Sequence, residues 1–426
     1  MPTPDDDRAS DVVVIGAGLI GLASAYKLLL ARPGLAVRVL EKEAAPGRHQ
    51  SSHNSGVLHA GLSYLPGSSK ARLAVAGIRQ MTAFCRAHGV EHRICGKLVV
   101  AASAPEVSRL RDLQERGRQN GLRNLVWVDA GRIRDYEPSA AGVAALWVPE
   151  EGVVNYPGVC RALARQIADR GGVVQTGVRV RELHRNAGRW VAAAGQREFT
   201  AQVLVNCAGL FADRVARQAG VRTSLRIVPF RGLYYTLRLE RVHLVRHLIY
   251  PVPDPRFPFL GVHFTRGVDD TVTAGPNAVL ALSREGYSGR SVNLRDTAEI
   301  ARFQGLWRFL ARHPRPCWHE VRLSLSRERF AQALQRLVPA IRAADLAPAF
   351  SGVRAQAMHA DGTLETDFVF ATGPQAVHLL NAPSPGATAA LAIADEVVGR
   401  VLPMLLPTPH PQAAAPAPGS LTMGAP

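Results

Sequence analysis

The sequence predicts an α/β protein in which a discontinuous β-α-β domain carries an inserted domain with a mostly antiparallel β-sheet. Three observations support this fold class. A strand, a glycine-rich turn, a helix and a second strand follow one another between residues 12 and 40. Further buried-strand signals occur much later, at residues 203–207 and 376–381. Strand-rich sequence fills residues 227–278, which indicates that pieces of the two domains alternate along the chain.

Each predicted element follows from its residue pattern. Residues 12–15 form a continuous β-branched run that ends at glycine, as buried parallel strands do. Residues 22–30 have a helical pattern, and Val37–Leu40 is a second strand that ends at an acidic residue. Further helical patterns recur along the chain, at about 70–88, 104–120, 294–312, 329–337 and 387–402.

These patterns predict a domain order with five folded pieces. The first domain, of the β-α-β type, comprises residues 9–80, 155–226 and 346–405. The second domain, of the α+β type, comprises residues 81–154 and 227–345. Residues 406–426 are rich in Pro and Ala and are predicted to form a disordered tail.

Composition and charge exclude several classes of protein. The 426 residues are 47% hydrophobic and 20% charged, which argues against wholesale disorder. The formal net charge of +17 would suit nucleic acid, an anionic membrane face or acidic substrates. No long Lys/Arg run occurs and aromatic residues make up only 6%, so nucleic acid is not expected as a partner.

Cysteine usage and the start of the chain indicate the compartment. The five cysteines are odd in number and form no CxxC pair, so neither a structural metal site nor a secreted disulfide framework is expected. The leader, residues 1–8, is acidic, and the apolar stretch behind it is too short to span a bilayer. We therefore expect a cytoplasmic protein, either soluble or associated peripherally with the inner membrane surface.

The glycine turn has the spacing of a dinucleotide-binding fingerprint. Gly16 permits the tight turn, Gly18 lets the backbone approach a pyrophosphate, and Gly21 lets the helix pack closely on the strand. Phosphates would then meet the positive end of the helix. Glu41 lies 20 residues beyond Gly21, at the end of the second strand, where a carboxylate accepts bonds from ribose hydroxyls. The first domain is therefore predicted to be of the Rossmann type.

A second motif favours a flavin over a nicotinamide. The strand at residues 203–207 leads into Ala208 and Gly209, a pattern that FAD proteins use for a second contact with the same dinucleotide. Val180 is predicted to lie on a strand that touches the adenine. An ordinary sheet strand remains the alternative interpretation of this stretch taken alone.

Together these residues resemble the D-amino-acid-oxidase-like flavoenzymes, and a larger motif set closely resembles the L-2-hydroxyglutarate dehydrogenase/oxidase family. The resemblance runs from about residue 12 to residue 393. The motifs that carry it are HNSGVLHAG (53–61), Tyr64, PGS (66–68), KA (70–71), CGKL (95–98), VPFRG (228–232), IYPVPD (249–254), GVHFT (261–265), AGPNA (274–278), GVRAQ (352–356) and NAPSP (381–385).

The resemblance implies an FAD enzyme that oxidises L-2-hydroxyglutarate, a dicarboxylate, to 2-oxoglutarate by hydride transfer from C2. Electrons would then leave to a quinone, another flavoprotein or oxygen. A related FAD-dependent enzyme acting on an amino acid, an amine or glycerol 3-phosphate is the alternative. The residues expected to contact FAD are Gly16, Gly18, Gly21, Glu41, Lys42, His53, Asn54, Ser55, Gly56, Val180, Ala208, Gly209, Pro383, Ser384, Pro385, Gly386 and Thr388.

The chemistry requires a base for the hydroxyl proton, and two histidines are candidates. His59 lies in a glycine-flanked loop that should approach the flavin ring, and an imidazole suits proton transfer near neutral pH. His263 follows a strand-like run in the second domain. The alternatives are a His59 that only packs against the flavin and a His263 that is an ordinary strand residue. His53 is expected to face the flavin or the pyrophosphate.

Two arginines are the candidate carboxylate clamps, because a planar guanidinium pairs both oxygens of a carboxylate. Arg354, in a Gly-x-Arg motif, is expected over the flavin, and Arg231 is either the second clamp or a domain-interface residue. Pro383, Ser384, Pro385 and Gly386 set a turn before the last helix, whose N-terminus would favour an anionic reduced flavin.

One helical stripe has two interpretations. Its apolar positions lie among several arginines and are Ile300, Phe303, Leu306, Trp307 and Leu310. The stripe is typical of a core-packing helix with solvated arginines, and the alternative is a membrane-surface helix that passes electrons to quinone. A non-enzymatic nucleotide-binding module is the remaining competing hypothesis, and the clustered motifs argue against it.

Overall fold

The computed structural model describes residues 9–254 and 259–405. The predicted disordered tail, residues 406–426, lies outside the described residues, as does the acidic leader. The strands are β1 (Ser10–Ile15), β2 (Val37–Leu40), β3 (Val57–Leu58), β4 (His92–Ile94), β5 (Lys97–Ala101), β6 (Val126–Asp129), β7 (Ala144–Val148), β8 (Gly152–Val154), β9 (Val173–Gln175), β10 (Glu182–Asn186), β11 (Arg189–Ala194), β12 (Arg197–Asn206), β13 (Arg226–Leu237), β14 (Leu248–Pro251), β15 (His263–Arg266), β16 (Val272–Gly275), β17 (Val279–Leu280), β18 (Leu346–Met358), β19 (Val369–Gly373) and β20 (Ala376–Asn381). The α-helices are α1 (Leu19–Ala31), α2 (Ser69–Ala87), α3 (Ala104–Gln119), α4 (Ile133–Tyr136), α5 (Tyr156–Ala168), α6 (Ala212–Gln218), α7 (Leu294–Ala301), α8 (Gln304–Arg312), α9 (Pro314–Leu325), α10 (Arg327–Gln335) and α11 (Ala390–Val401).

The first sheet has a parallel centre in the order β9-β2-β1-β12, with β20 parallel to the second half of β12. The antiparallel strands β10, β11 and β19 complete it. In the register, Ile15 pairs with both Leu40 and Asn206. The residues that follow these three strands therefore meet at one edge, where open α/β sheets bind ligands. The predicted α/β fold class, with strands recruited from distant parts of the chain, is confirmed.

The second sheet runs β17-β13-β16-β15-β14-β5-β7-β6, and β18 pairs along the other edge of β13. All of its pairings are antiparallel except that of β14 with β5. The β13–β18 ribbon includes eleven paired positions, from Arg226 with Met358 to Leu237 with Leu346. A third, small sheet has the order β3-β8-β4.

This pairing bears on the predicted domain boundary before residue 346. That boundary would separate β18 from the β13 strand to which it is hydrogen-bonded. Hydrogen-bonded strands share one sheet and its core. We therefore propose that the second domain extends through Met358 and that the third piece of the first domain begins after it.

The predicted helix at residues 294–312 is two helices, because α7 ends at Ala301 and α8 begins at Gln304. Of the apolar stripe, Ile300 and Leu306 are buried, Phe303 and Leu310 are partly buried against the same core, and Trp307 is 58% exposed. The core-packing interpretation therefore holds for most of the stripe. Across residues 9–254 and 259–405, no helix combines the length and apolar character that crossing a membrane requires.

Candidate active site

A cavity of about 1210 Å³ is lined by residues from both large sheets and from the loops at their edges. It extends from Gly16, after β1, to Arg354, on β18. The lining also includes the turn at residues 382–388, before α11. This volume exceeds the roughly 300–1,000 Å³ that single small-molecule sites enclose. The cavity therefore has room for a large cofactor and a substrate together.

The glycine turn at the end of β1 brings the backbone unusually close to its neighbours. Gly16 has a φ of +100°, and a Cβ there would lie 2.6 Å from the carbonyl oxygen of Cys207. A Cβ on Gly21 would lie 1.9 Å from the carbonyl oxygen of Gly16. The helix α1 begins at Leu19 with no acidic residue in its first turn. Its positive end is therefore available to phosphate groups at the edge of the cavity.

Glu41 supports this turn through two backbone hydrogen bonds. Its carboxylate accepts bonds from the N–H groups of Ala17 at 2.8 Å and Glu43 at 3.0 Å. The carboxylate is buried and also lines the cavity, so it can still accept from a ribose hydroxyl. The adjacent Lys42 contacts Glu43, Glu285 and His49 as well as lining the cavity. Lys42 is therefore already paired with two carboxylates, those of Glu43 and Glu285.

Most of the residues predicted for the site line this cavity. They are Gly16, Gly18, Glu41, Lys42, Asn54, Ser55, His59, Val180, Ala208, Gly209, His263, Arg354, Pro383, Ser384, Pro385, Gly386 and Thr388. Four predicted residues are not in the lining: Gly21, His53, Gly56 and Arg231. Gly21 contributes indirectly: it lies behind the lining residues, and its lack of a side chain lets α1 approach the carbonyl oxygen of Gly16.

The structure corrects the prediction that Arg231 is a second clamp in the cavity. In the β13–β18 ribbon, Phe230 pairs with Arg354 and Arg231 pairs with Val353. Directly paired residues project from the same face of a sheet, and successive residues project from opposite faces. Arg231 therefore points away from the face that carries Arg354. Its guanidinium donates instead to the carbonyl oxygen of Ser288 at 2.6 Å.

His53 also departs from its predicted position against the cofactor. Its ring packs on Tyr287, with centroids 4.4 Å apart, and its Nδ1 lies 3.1 Å from the carbonyl oxygen of His49. Gly56, with a φ of +69°, accepts a backbone bond from Val154 and lines a smaller neighbouring cavity of about 260 Å³. Both residues shape the loop that presents His59 rather than facing the large cavity.

Thr388 fastens the turn before α11 to the loop that carries His59. Its Oγ1 accepts a bond from the backbone N–H of His59 at 3.1 Å and donates to the carbonyl oxygen of Val57 at 3.2 Å. The hydroxyl of Tyr156 lies 3.0 Å from the same Oγ1. Three segments that are far apart in the sequence, at residues 57–59, 156 and 388, are thus held together.

His59 lies against a buried ion pair formed by Glu151 and Lys97. Nδ1 of His59 lies 3.4 Å from Oε2 of Glu151, and the same oxygen lies 2.7 Å from Nζ of Lys97. Glu151 is 1% exposed and Lys97 is 4% exposed. Burial by itself would raise the pKa of Glu151, but Lys97 and His59 outweigh it and hold that pKa at about 2. Glu151 is therefore a permanent anion that fixes the imidazole of His59 and can stabilise a proton on it.

His263 has a different environment from His59. Its Nδ1 lies 2.9 Å from the carbonyl oxygen of Gly261, so Nδ1 carries the proton and Nε2 is left as an acceptor. Its ring stacks on Tyr250 with centroids 3.8 Å apart. Burial, with the nearby charges of Arg354 and Lys97, lowers the pKa of His263 to about 3. His263 is therefore neutral and can accept a hydrogen bond without retaining a proton.

Arg354 presents a buried cation to the cavity. Its guanidinium lies 5.4 Å from the ring centroid of Phe259. Among the described residues, its buried Nη1 has no hydrogen-bond partner. A buried donor on a cation without a partner is costly, and an anionic ligand would satisfy it. Arg354 thus marks the place where a carboxylate can bind.

The sequence-based prediction missed Lys97, Glu151 and Lys70 as site residues. Glu151 lies in the loop between β7 and β8, and nothing in the sequence around it distinguishes it from Glu150. Lys97 and Lys70 lie within the motifs CGKL and KA, and their position in these motifs could have identified them as candidate site residues. Their role depends on tertiary contacts, which the sequence does not display.

Comparison with known proteins defines the class of this protein. A family model described as FAD dependent oxidoreductase matches residues 11–400, and the chain belongs to this family. FAD is accordingly its cofactor. The tight glycine turn, the N-terminus of α1 without an acidic residue and the size of the cavity fit that cofactor. Gly16, Gly18 and the start of α1 would hold its pyrophosphate, and Glu41 its ribose.

Curated relatives narrow the comparison. The L-2-hydroxyglutarate dehydrogenase of Escherichia coli (strain K12) is 42% identical over 402 residues, which cover 94% of this chain and 95% of that protein. The mitochondrial L-2-hydroxyglutarate dehydrogenase of Nematostella vectensis is 40% identical, with 92% and 90% covered. Among solved structures, the FAD-bound L-alpha-glycerophosphate oxidase of Mycoplasma pneumoniae is similar in fold. It has a TM-score of 0.76 and 21% identity over 92% of this chain and 95% of that one.

Proposed function

We propose that this protein oxidises L-2-hydroxyglutarate to 2-oxoglutarate, with FAD as the electron acceptor. The names and near full-length similarity of its curated relatives support this activity. The observation that carries the proposal is the buried Arg354, which lines the same cavity as His59 and His263 and whose Nη1 has no hydrogen-bond partner among the described residues. A carboxylate on Arg354 would place the neighbouring 2-hydroxyl within the part of the cavity that the two histidines line.

Two electrons and two protons must leave the substrate when its C2–OH becomes a carbonyl. Bound FAD supplies the acceptor for the hydride that leaves C2. His59 is the base that takes the hydroxyl proton, and Glu151 stabilises the resulting imidazolium through Nδ1. Lys97 holds Glu151 in place and prevents its protonation.

His263 positions the substrate rather than removing its proton. The single hydroxyl proton bonds to His59, and the neutral ring of His263 positions the substrate by packing, because its Nδ1 is occupied by the carbonyl of Gly261 and its Nε2 has no proton to donate. Tyr250, stacked on this imidazole, holds the ring in place. Arg354 binds the C1 carboxylate and keeps C2 beside both histidines. The division of roles follows from their partners, because a carboxylate stabilises a cationic imidazole and a carbonyl oxygen does so far less.

The acceptor that reoxidises the enzyme and the place where it works are further parts of this proposal. We infer a quinone, a flavoprotein or oxygen as the acceptor, and a cytoplasmic protein that can associate with the inner membrane surface. Trp307 and Trp318 are 58% and 62% exposed and lie near Arg308 and Arg315 in the sequence, which supports a peripheral contact. Co-sedimentation with anionic vesicles, compared with neutral ones, tests this part separately.

An anaerobic reduction screen tests the proposed activity. The purified FAD-loaded protein would be mixed without oxygen with L-2-hydroxyglutarate, D-2-hydroxyglutarate, glycerol 3-phosphate or glycine, while flavin absorbance is followed. We expect L-2-hydroxyglutarate alone to bleach the flavin rapidly. Faster bleaching by glycerol 3-phosphate or by glycine would contradict the proposal and favour a related oxidase activity.

A further inference from the structure

The proposed substrate carries two carboxylates, and only one has a partner so far. Arg354 accounts for the carboxylate beside C2, and Arg231 lies outside the cavity lining. Recognition of the second carboxylate by the same site rests on the proposed function. A buried carboxylate without a cationic partner is costly, so a site selective for dicarboxylates needs a second cation.

Lys70 lies in the first turn of α2 and lines the cavity. Its Nζ lies 5.1 Å from the ring centroid of Tyr64, another lining residue. Burial, opposed by the negative charges of Asp367 and Glu365, lowers the pKa of Lys70 to about 8. The ammonium is therefore charged at neutral pH but poorly solvated, and this is the state in which an anion gains most by binding to it.

The two carboxylates near Lys70 are already engaged with other groups. Asp367 accepts bonds from the backbone N–H groups of Ser69 and Lys70 at 2.9 and 2.8 Å. Glu365 accepts from the N–H groups of residues 366 and 367, and its Oε2 lies 3.2 Å from His359 Nε2. Within residues 9–254 and 259–405, no carboxylate lies within 4.0 Å of the Lys70 ammonium. Lys70 therefore lines the cavity without an ion-pair partner in the described part of the chain.

A row of tyrosines connects Lys70 with Arg354. Tyr64 contacts Lys70, and Tyr250 lies close enough to Tyr64 and Tyr234 for each to affect its pKa. The positive charge of Arg354 in turn lowers the pKa of Tyr234, against the effect of burial. All three tyrosines line the cavity, and His263 stacks on the middle one, Tyr250. The same cavity therefore contains two cations, Lys70 from helix α2 and Arg354 from strand β18, together with these tyrosines.

The other two lysines in the cavity lining, Lys42 and Lys97, already form ion pairs with carboxylates. Lys97 is paired with Glu151 at 2.7 Å, and Lys42 with Glu43 and Glu285 near the nucleotide edge. A lysine already paired with a buried carboxylate would have to give up that pair to bind substrate. Lys70 has no such pair in the part of the chain that the structure describes.

We infer that Lys70 binds the C5 carboxylate of L-2-hydroxyglutarate and is the residue that makes the site selective for dicarboxylates. Arg354 holds the C1 carboxylate at one end of the tyrosine row, and Lys70 holds the C5 carboxylate at the other. Removal of Lys70 should weaken the binding of dicarboxylates while leaving monocarboxylates nearly unaffected. The hydride and proton transfers occur at C2, away from Lys70, and should proceed in its absence.

A matched substrate pair isolates this contribution. L-2-hydroxyvalerate has the same five-carbon chain and the same C2 centre as L-2-hydroxyglutarate, but it lacks the C5 carboxylate. Both would be tested in anaerobic flavin-reduction experiments with the wild type and with Lys70→Met, Lys70→Gln and Lys70→Arg. Lys27→Met is the control, because Lys27 pairs with Asp395 on a helix surface outside the cavity lining. Flavin content and melting temperature verify that each variant folds.

We expect Lys70→Met and Lys70→Gln to weaken the binding of L-2-hydroxyglutarate roughly 10- to 100-fold, as loss of a charged hydrogen bond does. Binding of L-2-hydroxyvalerate should change by less than about threefold, and Lys70→Arg should restore part of the preference. An unchanged preference in the folded variants would overturn the inference. An equal loss for both substrates, or a loss of FAD, would overturn it as well and assign Lys70 to the cofactor.

A measurement on the wild type covers the case in which the variants do not fold. The groups that face Lys70 are the carboxylates of Asp367 and Glu365 and the phenol of Tyr64. Burial raises the pKa of Tyr64 well above its usual range, so this phenol does not titrate near pH 8. Glutarate binding should therefore weaken as the pH rises through about 8, whereas valerate binding should not. Parallel pH dependences for the two acids would contradict the inference.

The outcome is separable from the proposed activity itself. If no 2-hydroxy acid reduces the wild-type flavin, the proposed function fails. If L-2-hydroxyglutarate reduces the wild type and the Lys70 variants keep its preference, only the assignment of Lys70 fails.

Discussion

His59 and His263 face the same cavity, and their immediate partners decide what each can do. His59 lies against a buried carboxylate, and His263 lies against a backbone carbonyl. An imidazole beside a fixed anion can hold a proton in the transition state, whereas an imidazole in a dry, cation-rich environment remains neutral. The sequence made both histidines candidates, and only the packing distinguishes the base from the orienting residue.

Glu151 should act on the rate through His59. Replacement of its anion by the neutral amide in Glu151→Gln removes the charge that stabilises a protonated His59, so flavin reduction by substrate should slow at least roughly tenfold. Stopped-flow reduction without oxygen measures this rate. Glu150→Gln is the matched control, because Glu150 lies in the same loop and its Oε1 accepts from the backbone N–H of Asn124. Equal rates for the two variants would rule out the role of Glu151.

His263 should contribute no ionisation to the pH profile of the enzyme. Its pKa is lowered to about 3, so it binds a proton only well below the working range. His263→Asn should lower the rate through lost orientation. The shape of the kcat/KM profile between about pH 5 and 9 should nevertheless remain unchanged. Steady-state assays across that range measure both properties. A profile that loses its acidic limb in His263→Asn would identify His263 as the titrating base instead.

At the level of the elements, the strand-turn-helix unit at the start of the chain was predictable residue by residue. Gly16 and Gly21 are required by local geometry, and their spacing is visible in the sequence. Strand faces were harder to predict, because a shift of one position on β13 separates Phe230, which shares a face with Arg354, from Arg231. Local sequence suggests that a strand exists, but the face it shows to the cavity depends on its partner's register.

Gly21 provides a test of the turn. Gly21→Ala places a methyl group 1.9 Å from the Gly16 carbonyl oxygen, so helix and turn must separate and FAD should be lost. Gly399→Ala, in helix α11, is the control because a Cβ there meets nothing within 4 Å. Flavin absorbance per mole of purified protein measures retention. The control should retain the wild-type FAD content. Full retention of FAD by Gly21→Ala would contradict the proposed binding of the pyrophosphate at the glycine turn.

The two arginines of the β13–β18 ribbon should behave differently. Arg354→Lys replaces a bidentate guanidinium with a point charge and should lower kcat/KM roughly 10- to 100-fold. Arg231→Ala loses only the bond to Ser288 and should leave kcat/KM within about twofold. Steady-state kinetics with L-2-hydroxyglutarate measure both effects. A larger effect from Arg231 than from Arg354 would show that the register argument assigns the clamp to the wrong strand position.

At the scale of the whole molecule, the site depends on contacts between segments that are distant in the sequence. Thr388 joins the last turn to the loop of His59, and Glu151 joins His59 to Lys97. The presence of the nucleotide edge could be predicted, because its glycines are local to one turn. The network of Lys97 and Glu151 could not, because burial, which gives these two charges their role, arises only when the chain has folded.

The most direct test of the central claim is a single turnover with L-2-hydroxyglutarate that carries deuterium at C2. The FAD-loaded protein would be reduced without oxygen by labelled and unlabelled substrate, and 2-oxoglutarate would be quantified after each reaction. We predict that deuterium slows flavin bleaching severalfold and that one 2-oxoglutarate forms for each flavin reduced. Bleaching without 2-oxoglutarate, or no bleaching by this substrate, would contradict the account.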